Sequence, residues 1–201
     1  SSDSRKKLVP KWLSRLQIID STTITLFSNL IFKGAGRHPK SGKKKGGIKV
    51  HVNIHANESV PSDVRFTSAA TNDSFMLMPT NYDSGDILAM DRAYINYAKF
   101  EELTRRGVIY VTKMKRNLVY EIAEDMMYVS PDGLVEYRVQ RVKFRKKVKD
   151  GEDIVHDARI ITYADIRKTR VKLVSLLTND MDMSVEEIVE IYRKRWEIEL
   201  L

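Results

Sequence analysis

The chain has 201 residues, 42% hydrophobic and 31% charged, which suffices for one sizeable core or a core with an insertion and is far from a disordered composition. It has no cysteine and no apolar run long enough to span a bilayer. That excludes disulfides, thiol catalysis, cysteine-ligated zinc and a transmembrane helix, and fits a reducing cytoplasm. A formal net charge of +8 favours a polyanionic partner.

Residues 1–7 are polar, without an initiator Met or a signal-peptide apolar stretch, as expected of a piece of a longer protein. Residues 16–27 (LQIIDSTTITLF) are β-branched and predict a strand with Asp20 near its middle. A loop rich in Gly, Pro and Lys follows over 33–45. Ile48, Val50, Val52 and Ile54 then alternate with Lys49, His51, Asn53 and His55, the period of a half-buried strand. His51 and His55 share a face but are too separated to pinch one metal, and are expected to face solvent or DNA. A turn at 56–59 leads into a third strand over 60–67.

Asn72 or Asp73 can cap a short helix through Met78, stopped by Pro79. The run DILAM (86–90) predicts a buried strand ending at Asp91. Residues 96–106 predict a helix with Tyr97, Phe100 and Leu103 on one face and Gly107 as its stop. Residues 108–114 predict a fifth strand. From 117 to 178 the pattern is strands joined by turns at Pro131-Asp132-Gly133 and Lys149-Asp150-Gly151, expected as a β-rich insertion apart from the core sheet. Ser184 and Glu187 make a capping-box pattern that opens a last helix. The expected division is 1–116, first part of a catalytic core; 117–178, the insertion; and 179–201, the terminal helix. Three meandering strands followed by alternating helices and strands indicate an α/β fold, a mixed sheet flanked by helices.

On the last helix Val185, Ile188, Val189, Tyr192 and Trp196 share a face at about 100° per residue, and Arg195 and Glu199 fall on it too. Charges on a core-facing stripe are costly unless paired or used. An Arg195–Glu199 pair at i, i+4 is one explanation. Asp91 ends a strand, a common place for aspartate, and Asp20 sits inside one, where aspartate is disfavoured unless it bonds locally to Ser21, Thr22 or Thr23. All three carboxylates could instead converge at one end of a sheet. Converging carboxylates need a cation, and oxygen-only ligands favour Mg²⁺ or Mn²⁺. Two such ions, about 3.5–4 Å apart, can activate a water or 3′-hydroxyl and stabilise the leaving oxygen of a phosphodiester.

Tyr192-x-x-Arg195-x-x-x-Glu199 resembles the opening of the Tyr-Arg-Glu-Lys signature of a large family of bacterial insertion-sequence DDE transposases. Asp20-Ser-Thr-Thr and Asp91-Arg-Ala-Tyr94 resemble the family's two aspartate motifs, and the order of motifs and the β-rich insertion match as well. The signature's lysine would fall beyond Leu201. The resemblance implies a ribonuclease-H-like fold and DNA cleavage and strand transfer at transposon ends, in the bacterial cytoplasm and on the nucleoid. It implies Asp20, Asp91 and Glu199 as catalytic metal ligands, two Mg²⁺ or Mn²⁺ ions, and Tyr192 and Arg195 as residues that hold the transposon-end strand. It also implies a homodimer in a synaptic complex with DNA ends and target. Another ribonuclease-H-like nuclease and a non-catalytic DNA-binding relic are the alternatives.

Two basic clusters remain. Lys33, Arg37, Lys40, Lys43, Lys44, Lys45 and Lys49 lie among glycines with no intervening acid. Arg37 and Lys43–Lys45 are expected to clamp a DNA backbone, against a merely solvated loop. Arg138, Arg141, Lys143, Arg145, Lys146, Lys147 and Lys149 make either a basic sheet face or a lysine-protected edge strand.

Overall fold

Strand β4, Ile87–Met90, is buried on both faces, and the fold is built outward from it. Leu88 and Met90 point into one core, and Ile87 and Ala89 point into another. A strand covered on both sides carries apolar residues at every position, which is why ILAM lacks alternation. In this computed structural model, the structure describes residues 9–25, 47–58, 60–165 and 171–199.

The strands form one nine-stranded mixed sheet in the order β3-β2-β1-β4-β5-β9-β8-β7-β6. β1 is Leu16–Thr25, β2 Gly47–His55 and β3 Val60–Ser68, an antiparallel meander. β4 and β5 (Ile109–Lys113) run parallel to β1. Between them lies helix α1, Tyr97–Arg105, capped by Asn96 Oδ1 accepting the Lys99 N–H at 3.0 Å. Gly107 ends it at φ +73°, a left-handed conformation that disfavours side chains. This is the mixed sheet expected of a ribonuclease-H-like fold. The short helix expected after Asn72 is two 3₁₀ turns, Asp73–Met76 and Pro79–Asn81, since proline leaves no room for a longer one.

Beyond β5 come β6 (Glu121–Val129), β7 (Glu136–Lys146), β8 (Ile154–Asp165) and β9 (Lys172–Thr178). They do not stand apart from the core sheet as expected. β9 pairs antiparallel with β5, and β8, β7 and β6 follow it outward. Joining the sheet satisfies the β5 edge, whose backbone groups would otherwise need another partner. The second basic cluster belongs to this outer part, where acids of neighbouring strands meet it. Arg138 pairs with Asp125, Arg141 with Glu124, Arg145 with Glu121 and Lys143 with Asp157. That ladder of cross-strand pairs accounts for four of the cluster's seven residues without a ligand.

Helix α2, Val185–Glu199, packs on β4 and β5 and closes the second core with Val185, Ile188, Val189, Ile191 and Tyr192. The Ser184 hydroxyl accepts the Glu187 N–H at 3.2 Å, the expected cap. Trp196, placed on the buried stripe by its spacing, is instead 45% exposed at the stripe's border. No described helix is long and apolar enough to cross a membrane.

On the α1 face, Phe100 stacks on Tyr110 with centroids 3.9 Å apart, beside the fully buried His156. His156 Nδ1 lies 2.5 Å from Glu101 Oε1, and its Nε2 meets the Tyr110 hydroxyl, tying α1 to β5 and β8. Burial lowers the His156 pKa, with Glu101 and Asp157 pulling it back up. Burial also lowers that of His51, with Asp73 opposing and Lys49 assisting. A folded-state pKa below the unfolded one means the unfolded chain takes up protons first. Stability is then fully present above the unfolded value of about 6.5 and is lost as pH falls through it towards the folded value. Urea midpoints are expected to drop between about pH 7.5 and about pH 5.5, and to drop less for the His51→Gln/His156→Gln double variant. An equal drop in both proteins would remove these histidines as its cause.

Candidate active site

Side chains alternate faces along a strand, so parity decides what can meet. On β1, Leu16 and Ile18 point into the α2-side core, and Asp20 has the same parity. On β4, Ile87 and Ala89 point there, and Asp91 continues that parity. The register pairs Leu16 with Ile87 and Ile18 with Ala89, which sets Asp20, midway along β1, beside Asp91, just past the carboxyl end of β4. α2 lies across that end.

Arg195 joins the two carboxylates. Its Nη2 is 3.1 Å from Asp20 Oδ1 and 3.5 Å from Asp91 Oδ2. The arginine side chain is 5% exposed, against 27% for Asp20 and 42% for Asp91, so the site is floored by the cation and opens through the acids. Local bonds fix each acid as well. Asp20 Oδ1 accepts the Ser21 N–H at 2.9 Å, and Asp91 Oδ1 accepts the Ala93 N–H at 2.8 Å, capping the 3₁₀ turn Arg92–Tyr94. The local explanations for both aspartates therefore hold together with convergence.

Glu199 is the last residue of α2, one helical turn beyond Arg195, or about 6 Å along the axis. Its side chain lies outside the described residues, as does the alternative Arg195–Glu199 pair. Among the described residues no group of three or more His, Asp or Glu is close enough to hold a metal. Tyr192 is buried under α2, with Arg195 Nη1 3.4 Å from its hydroxyl. Arg37, Lys43, Lys44 and Lys45 lie outside the described residues.

A polar network behind the acids was not legible in the spacing. Asp73 is buried, taking the Lys49 ammonium at 2.7 Å and the Ser21 hydroxyl at 2.9 Å. Lys49, grouped by sequence with the loop lysines, is thus paired within the fold. His51, expected to face solvent or DNA, is buried, with Nδ1 2.8 Å from the Tyr94 hydroxyl and Nε2 2.9 Å from Thr67 Oγ1. The reason is parity again. Its face of β2 looks onto Tyr94, and two hydroxyls satisfy both ring nitrogens. Burial pushes the Tyr94 hydroxyl well above its usual pKa, and Asp73, Asp20 and Asp91 add to this against the Ser21 hydrogen bond, so it stays protonated beside the acids. Tyr94, whose motif position carried no assigned role, anchors the turn that begins at Asp91.

A 28% identity over 199 residues links the chain to a putative transposase, y4zB, of Sinorhizobium fredii, covering 92% of this chain and 50% of that protein. A probable transposase for insertion sequence element IS5377 of Geobacillus stearothermophilus is 22% identical over 192 residues, covering 92% of this chain and 46% of that protein. The chain spans about half the length of these curated relatives. Among solved structures, a piggyBac transposase synaptic complex with hairpin DNA aligns at a TM-score of 0.47 and 13% identity, covering 92% of this chain and 39% of that one. The family model described as the transposase DDE domain matches residues 11–201, and the chain belongs to that family.

Proposed function

We propose that this chain is the catalytic domain of a DNA transposase that cleaves transposon ends and transfers them to target DNA. The observation that carries the reading is the bridging of Asp20 and Asp91 by Arg195. Asp20, Asp91 and Glu199 are the catalytic carboxylates. The donor set suits a hard divalent ion: the two described acids offer only oxygen, lie side by side and are open to solvent. Asp20, Asp91 and Glu199 would hold Mg²⁺ or Mn²⁺. When two such ions are bound, they supply activation of a water or 3′-hydroxyl and charge stabilisation of the leaving oxygen.

The chain's own residues do the positioning. The Ser21 and Ala93 amides hold one oxygen of each aspartate, so the carboxylates keep their aim without rearranging. Arg195 is placed to take a strand phosphate once other cations balance the acids, with Tyr192 as its support. Arg37, Lys43, Lys44 and Lys45 contact the DNA backbone. Residues 1–116 and 179–201 make the catalytic core and 117–178 its insertion, and two protomers pair the ends. Incubating the protein that carries this chain with Mg²⁺ and a duplex bearing its transposon end should give a nick at the 3′ end and then a strand-transfer product. Binding without either product under Mg²⁺ and Mn²⁺ would favour the non-catalytic alternative.

A further inference from the structure

The polar network behind the acids has a direction. Asp73, as a carboxylate, only accepts, and it takes the Ser21 hydroxyl proton at 2.9 Å. Ser21 has no second hydroxyl proton, so its oxygen accepts from the Tyr94 hydroxyl beside it, which burial keeps protonated. With its one proton given to Ser21, the Tyr94 oxygen accepts at its contact with His51 Nδ1, 2.8 Å away. His51 therefore carries its proton on Nδ1, and Nε2 accepts from Thr67 Oγ1 at 2.9 Å. The protons run from Thr67 through His51, Tyr94 and Ser21 to Asp73. Had Tyr94 donated to His51 instead, the Ser21 and Tyr94 oxygens would meet with no proton between them.

This chain of bonds reaches the supports of both acids. Ser21, which receives the Tyr94 proton, gives its amide to Asp20 Oδ1. Tyr94 closes the three-residue turn that Asp91 caps, in which the Ala93 N–H holds Asp91 Oδ1. A single 3₁₀ turn has little stability of its own. Its buried tyrosine ties it to the sheet, with the hydroxyl on His51 and the ring edge-on to the imidazole at 6.1 Å between centroids. His51 lies opposite Ser21 in the β1–β2 register, so the imidazole shares a rung with one support and reaches across to the other. We infer that His51, with its proton on Nδ1, is a positioning residue for the acids: it fixes the Tyr94 hydroxyl, and through it the aim of Asp91 and Asp20. The inference rests on the proposed transposase reading for what the acids do, and on the hydrogen bonds alone for how they are held.

Two substitutions separate the two ends of the ring. In His51→Asn the amide branches from Cγ, as Nδ1 does, and can still donate to Tyr94. In His51→Gln the longer amide reaches the Nε2 position and keeps Thr67 instead. In the protein that carries this chain, His51→Gln and Tyr94→Phe should lower Mg²⁺-dependent nicking at saturating DNA by about 30-fold, the effect of a misplaced group, and His51→Asn by about threefold at most. DNA affinity should stay within about threefold in all three variants, a split between turnover and binding that general loosening would not give. Native-state hydrogen exchange reads the positioning without catalysis. Measured against the β8 amides, which report global opening, the Ser21 and Ala93 amides should exchange about 10-fold faster in His51→Gln and Tyr94→Phe than in His51→Asn. Two-bond ¹⁵N–¹H correlation on ¹⁵N-histidine protein should place the His51 proton on Nδ1. A proton on Nε2 alone, or Gln and Asn variants alike in nicking and in exchange, would overturn the inference. Failure of the transposase reading looks different: the wild type would not cut, while the exchange pattern and the tautomer would still stand.

Discussion

Asp91→Asn is expected to lower metal-dependent strand cleavage by about a thousandfold or more while leaving DNA affinity within about threefold. The substitution keeps the shape of the side chain and its capping role. An amide oxygen can still accept the Ala93 N–H, so the Arg92–Tyr94 turn should survive. What changes is charge, at the end of the pair open to solvent. Loss of one anionic ligand removes several kcal/mol of transition-state stabilisation, about three decades in rate. Asp20→Asn and Glu199→Gln should behave alike if the three form one cage. Mg²⁺-dependent nicking of an end-bearing duplex beside a binding titration reads both quantities. Normal cutting by Glu199→Gln would remove Glu199 from the cage and leave it a helix-end residue.

The second large effect is expected at Arg195, and its signature differs. Arg195→Met keeps a long side chain under the site and removes the guanidinium that touches both aspartates. Cleavage should fall by about a hundredfold, the scale of losing one aimed donor. Metal affinity should hold or rise, because two acids no longer share a fixed cation. The fold should also weaken, since Arg195 is buried at the joint between α2 and the sheet. Isothermal titration with Mn²⁺ and nicking at saturating metal separate the two contributions. A large drop in Mn²⁺ affinity would show that Arg195 shapes the metal cage and does not hold the strand.

The acids were legible because each strained a local rule. Asp20 interrupts a strand, Asp91 closes an apolar run, and Arg195 and Glu199 sit on a buried stripe. The meeting of Asp20, Asp91 and Arg195 depends on strand register, which no local pattern encodes but which, once set, fixes every side chain's face. His51 shows the limit. Its alternation with Val50 and Val52 marks two faces of β2, but only the tertiary fold says that Tyr94 lies over the histidine's side. Asp73 and Lys49 were hidden for the same reason: their pairing joins β2 to a 3₁₀ turn with no fixed spacing. The outer strands were recognised by their turns, yet nothing in residues 117–178 announces that β9 will return to β5. Trp196 was misplaced because helical angle alone does not say where a stripe's border runs.

The return of β9 to β5 bears on how the protein is made. Lys113 pairs with Leu176, so β5 leaves the ribosome long before its neighbour on that side exists. Until then the strand Ile109–Lys113 presents one row of open amides and carbonyls, while three outer strands are synthesised beside it. Such contacts between distant residues slow folding and leave an edge open to other chains. The hairpin of β6 and β7 and its continuation into β8 need only local pairing and can form first. α2 follows β9 directly, so the helix that brings Arg195 to the acids is placed only when this late strand has docked. Nascent chains ending between β5 and β9 should therefore be the most aggregation-prone, and the site should assemble last.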